Sequence, residues 1–103
     1  MLSIGYSHGE EALGDKTISV PIYEHGEVGG IRYDYSDDDR MFVEVSGKYV
    51  VIRANKEGLE TLARIALTLA QDEVTVGAHV HLDPGFGSGL QKGSSMVIIE
   101  RIG

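Results

Sequence analysis

With 103 residues, 42% hydrophobic and 24% charged, the chain is long enough for one modest core and reads as a single α+β domain spanning 1–103. Sixteen acidic against nine basic residues leave a net charge of −7, which argues against a nucleic-acid partner and disfavours an anionic membrane surface. Cysteine is absent, which excludes disulfides, thiolate zinc sites and a cysteine nucleophile and fits a cytoplasmic location.

The N-terminal stretch MLSIGYSHGEE has neither the basic start nor the long apolar run of a signal peptide. Leu2–His8 suggests a short strand, and residues 9–16 read as a loop. Thr17–Tyr23 alternates, with Ile18, Val20 and Ile22 on one face. Pro21 cannot donate to a ladder, so this strand belongs at an edge or carries a bulge. Residues 24–30 form a turn region. Ile31–Ser36 alternates again, with Ile31, Tyr33 and Tyr35 together, and Asp37–Arg40 is a polar turn. MFVEV and KYVVIRA then flank Ser46-Gly47, a tight hairpin signal. Met41, Val43 and Val45 share one face of the first arm. In the second, Val50 and Ile52 share one face and Tyr49 and Val51 the other.

The hydrophobic period then changes. Leu59, Leu62, Ala63, Ala66, Leu69 and Ala70 recur at helical spacing, predicting a helix from about Lys56 to Gln71. Asn55 suits the N-cap, and Glu57 and Glu60 suit the positive end of the helix dipole. Ile65 and Leu67 widen the apolar face beyond this stripe. The apolar run LARIALTLA is too short to span a bilayer. AHVHLD is a strand by alternation, PGFGSGLQKG a mobile hairpin loop, and SSMVIIERI a final strand. That strand is apolar on both faces, which predicts a central place in its sheet. The fold expected is α+β: an antiparallel sheet, made of an N-terminal meander plus a C-terminal strand pair, with one long helix packed on one face.

Three stretches carry candidate chemistry. His79, His81 and Asp83 alternate with Val80 and Leu82, so they share one strand face. Nitrogen and carboxylate donors suit zinc or iron. Successive steps of about 7 Å along one flat strand, however, spread three ligands too far to close easily on one ion. Ligands from elsewhere would be needed, and His8 and His25 are the only other histidines. The plainer reading is a polar outer sheet face. GFGSGLQKGSS resembles a phosphate loop superficially, but it leads into a strand rather than a helix and lacks the Ser or Thr directly after Lys92. Phe86 and Leu90 in that loop are candidate anchors for a partner. The run YDYSDDDR, with Glu10 and Glu11, lacks the alternating ligands of a calcium loop. It reads as a solvated turn or as a docking patch in which Tyr33 and Tyr35 stand beside Asp37, Asp38 and Asp39. For enzyme chemistry, no serine nucleophile elbow opens a helix.

The C-terminal half, from NKEGLETLARIALTLAQ through GAHVHLD to KGSSMVIIERI, resembles the immunity-protein-32 family of bacterial polymorphic toxin systems. The residues that carry the resemblance are Asn55, Gly77, His79, His81, Leu82, Asp83, Gly93, Ser94 and Ile98. It covers roughly the last 50 residues, and the loop PGFGSGLQK is longer and richer in glycine than the family's pattern. It implies a stoichiometric inhibitor of a cognate toxin, without catalytic residues. The expectation is therefore a non-catalytic protein without cofactor that sequesters a toxin through an acidic surface. Its rivals are a small metal-binding protein or hydrolase built on His79, His81 and Asp83, and a homodimeric module pairing through an exposed edge strand or the wide helix face.

Overall fold

Five elements form in the computed structural model, which describes residues 14–26, 31–85 and 88–103. In chain order they are β1 (Met41–Ser46), β2 (Tyr49–Ala54), α1 (Lys56–Leu69), β3 (His79–Leu82) and β4 (Val97–Glu100). The class is α+β: two antiparallel pairs, β1 with β2 and β3 with β4, and one helix. His8, Glu10, Glu11, Phe86 and the strand expected at Leu2–His8 lie outside the described residues.

The hairpin turn sits one residue later than its sequence signal. Ser46 pairs with Tyr49, so Gly47 and Lys48 form the two-residue loop. Gly47 alone takes a positive φ, 58°, as the first central position of a type II′ turn requires. Upstream, Thr17–Tyr23 and Ile31–Ser36 alternate as expected yet form no strand. Side chains tie down the ends of these segments where no ladder forms. Gln71 accepts from the His25 amide and donates to the Tyr23 carbonyl, both at 3.0 Å. Tyr23 donates to Asp34 at 2.9 Å, with the Arg32 guanidinium over its ring. Pro21 removes one donor that a ladder would need.

α1 ends at Leu69, two residues before the expected limit, and Asn55 caps it by accepting from the Gly58 amide. The buried face is Gly58, Thr61, Ile65, Thr68 and Leu69. This corrects the stripe of Leu59, Leu62, Ala63, Ala66, Leu69 and Ala70: Leu69 is buried, but Leu59, Ala66 and Ala70 are exposed, whereas Ile65, placed outside the stripe, is wholly buried. Polar anchoring and a close approach decide the rotation. A Cβ on Gly58 would lie 2.9 Å from both the Arg40 carbonyl and the Met41 side chain, so only glycine lets the helix start rest there. Thr61 then faces Asp39, and Thr68 donates to the Arg64 carbonyl one turn back.

The glycine-rich stretch is not a free hairpin loop. Met41 donates to Gly89 at 2.9 Å and Gln91 donates to Met41 at 2.8 Å, so residues 89–91 run parallel beside β1. Ser95 donates to the Val43 carbonyl and Val43 to the Ser94 hydroxyl, both at 2.8 Å. β1 thus has β2 on one side and the approach to β4 on the other. Leu90, expected as an exposed anchor, is buried in the core with Met41, Val43, Ile65, Leu69, Val74, Val80 and Leu82. β4 is likewise not central. Among the described residues it pairs only with β3, and Ile98 points to solvent.

Candidate partner-binding surface

The turn before β1 is built by its own side chains. Ser36 accepts from the Asp38 amide at 3.0 Å, and Asp39 donates to the Ser36 carbonyl at 3.0 Å. Asn55 braces the turn from α1: its amide nitrogen donates to the Asp38 carbonyl at 2.8 Å, and its Oδ1 accepts from Arg40 at 3.0 Å. The result is a fixed ledge on which Asp37 and Asp38 are exposed. A shallow depression of about 420 Å³ lies there, lined by Asp37, Asp38, Arg40, Asn55 and Glu57. Glu57 came from the helix signal alone, since no linear motif joins it to residues 37 and 38.

Asp39 departs from its neighbours. It is 6% exposed, and its Oδ2 accepts from Thr61 at 2.6 Å and from the Ser36 amide at 3.3 Å. Its role as a surface contact is therefore corrected: it holds the ledge from within. Among the described residues its Oδ1 and the Nε of Arg64 are buried without a partner, while Arg64 Nη1 donates to Thr61 at 3.3 Å. Tyr33 and Tyr35 lie with ring centroids 6.4 Å apart. Tyr35 is exposed, and Tyr33 packs against the core. Burial first, then the charges of Tyr35 and Asp39, push the Tyr33 hydroxyl above its ordinary pKa.

The second candidate, His79, His81 and Asp83, is split. His79 and His81 share the outer face of β3, paired with Glu100 and Ile98 of β4. Their rings lie 4.9 Å apart at a tilt of 38°. His79 Nδ1 lies 2.8 Å from the Gly77 carbonyl, a contact that favours a proton on that nitrogen. Val80 and Leu82 are buried on the inner face. Asp83 lies past the strand end, partly buried. Among the described residues no group of three or more His, Cys, Asp or Glu side chains converges to hold a metal ion.

Several residues of the family-like pattern have structural work. Asn55 caps α1, and Gly77 takes a positive φ of 94° while donating to the Arg101 carbonyl. Ser94 takes up the edge amide of Val43. No helix among the described residues is long and apolar enough to cross a membrane.

No curated protein and no solved structure matches the chain. The family model described as Immunity protein 32 matches residues 49–102, from the first residue of β2 to beyond the end of β4. That span is more than half of the 103 residues, and it holds Asn55, Gly77, His79, His81 and Ser94 in the places just described: the chain belongs to the Immunity protein 32 family.

Proposed function

We propose that this chain is a non-catalytic immunity protein that acts in the cytoplasm, binding a cognate bacterial toxin and neutralising it through an acidic surface. Family membership is the observation that carries the reading. The net charge of −7 supports it, because such a field accelerates encounter with a basic partner. The ledge supports it too: Asp37, Asp38 and Glu57 line one depression, and Tyr35 stands exposed beside it in sequence. Tyrosine beside carboxylates gives a contact both area and polar direction. In this reading Tyr33 and Asp39 support the ledge, and Phe86 is a further contact.

Coexpression with the product of the adjacent gene tests the proposal. The two proteins are expected to purify as a stoichiometric complex, and cells carrying both should survive where the neighbour alone kills. An adjacent gene that encodes no toxic product, or a toxin whose lethality this chain leaves unchanged, would sink the reading.

A further inference from the structure

We infer that His79 and His81 form a two-imidazole chelate on the outer face of β3, which binds one late first-row divalent metal ion: copper, nickel or zinc. The site stands whether or not the toxin reading holds, since it draws on neither the ledge nor the net charge. Alternate residues of a strand share a face but stand about 7 Å apart along it. Here the two rings lean together, with centroids 4.9 Å apart at a tilt of 38°. Two imidazoles on one ion at 2.0–2.1 Å, meeting at an angle between square and tetrahedral, hold their centroids roughly 4.5–5.2 Å apart. The observed separation falls inside that window. Aromatic pairs left to themselves prefer offset stacks or edge-to-face contacts, and the tilt here is neither.

The backbone sorts the nitrogens. His79 Nδ1 lies 2.8 Å from the Gly77 carbonyl, which favours the proton on Nδ1 and the lone pair on Nε2. Metal-binding histidines ordinarily donate their second nitrogen in this way, to a carbonyl or a carboxylate. The accepting residue is itself fixed. Gly77 takes a φ of 94°, and its amide donates to the Arg101 carbonyl at 2.8 Å. The Arg101 amide donates in turn to the Ala78 carbonyl at 2.9 Å. Beneath the pair, Val80 and Leu82 are buried in the core, so β3 cannot rotate the histidines away without opening it. The two ligands are thus held on a rigid element, as a preorganised site requires.

The surroundings suit a cation. Glu100 stands opposite His79 in the β3–β4 register, on the same face, and makes no ion pair among the described residues. Its carboxylate borders the imidazoles with negative charge. Imidazole selects copper, nickel and zinc, whereas magnesium and calcium take oxygen ligands. Both histidines are exposed, so water completes the coordination of the ion. With two ligands from the chain the site is open, unlike a closed structural zinc site of four.

Equilibrium dialysis of the full, tag-free chain against copper, nickel and zinc ions is the test. One ion per chain is expected, held most tightly for copper and not displaced by excess magnesium. His79→Gln and His81→Gln should each weaken binding at least about tenfold. The chain carrying His8→Gln and His25→Gln, the other two histidines, should bind like wild type. The paramagnetic resonance spectrum of bound copper should show two coupled imidazole nitrogens, and one in His81→Gln. Urea midpoints of the single variants should match wild type, since both side chains are exposed. If either variant unfolds, the copper spectrum of the His8, His25 variant decides alone. A chain that retains none of the three ions, or retains them equally after both His79 and His81 are replaced, overturns the chelate and leaves a surface ring pair only. Loss of binding in the His8, His25 variant assigns the ion to those residues and also overturns it.

Discussion

Asn55 joins three parts of the chain through one short side chain. Its Oδ1 accepts from Gly58 and Arg40, its Nδ2 donates to Asp38, and its own amide donates to the Arg40 carbonyl. Asn55→Ala removes the partner of three backbone groups, the capped Gly58 amide, the Arg40 amide and the Asp38 carbonyl, so a loss of about 1–3 kcal/mol is expected from urea unfolding. Asn55→Asp keeps the cap but lacks the Nδ2 donor and should fall between the two. Thr61 is the second pivot, because Asp39 is buried against it. Tyr33 gives a pH signature. Burial, followed by Tyr35 and Asp39, raises its hydroxyl pKa above the ordinary value of 10.0. The folded state therefore holds this proton more tightly than the unfolded chain. The resulting stability is fully present below pH 10 and is lost as pH rises through the folded value. Urea midpoints taken between pH 8 and pH 11 should fall less steeply for Tyr33→Phe than for wild type.

Elements were legible in the sequence where their signal was local. The helix start at Lys56, with Asn55 as its cap, follows from a period change and a capping residue. The strand at His79 follows from alternation, and so does its division into an outer histidine face and an inner Val80–Leu82 face. The rotation of α1 was not legible, because its buried face includes Gly58 and Thr61, whose contacts with Arg40, Met41 and Asp39 lie in a distant segment, and Thr68, a polar residue that an apolar stripe passes over. That rotation predicts a contrast. Leu59→Gln should change stability by no more than about 0.5 kcal/mol, whereas Ile65→Ala should cost about 2–5 kcal/mol. Leu90 offers the same contrast for the glycine-rich stretch. Leu90→Ala should cost about 2–5 kcal/mol in chemical denaturation, a loss that a mobile loop would not show.

At the scale of the whole molecule the proposed function makes a kinetic prediction. On that reading the −7 field acts at long range and sets the approach, while the ledge acts at contact. Association with the toxin should therefore slow as salt rises, since screening shortens to about 8 Å at 0.15 M ionic strength. Stopped-flow binding of the Asp37→Asn, Asp38→Asn variant should show a lower association rate and a weaker salt dependence. Its dissociation rate should change less, because exposed charges contribute mainly to encounter.

The sequence by itself determined the fold class, the capped helix, the hairpin, the two-faced histidine strand and the family. Each rests on residues within a few positions of one another or on a pattern in fixed order. Only the tertiary structure decided that Asp39 turns inward to Thr61 while Asp37 and Asp38 stay out. It alone seated Leu90 in the core and left the distal hairpin uncovered. The physical reason is common to all three. Alternation says which residues share a face, but what covers that face depends on segments far away in the chain. The core closes over Met41 and Val43 and leaves Val45, Val50 and Ile52 exposed.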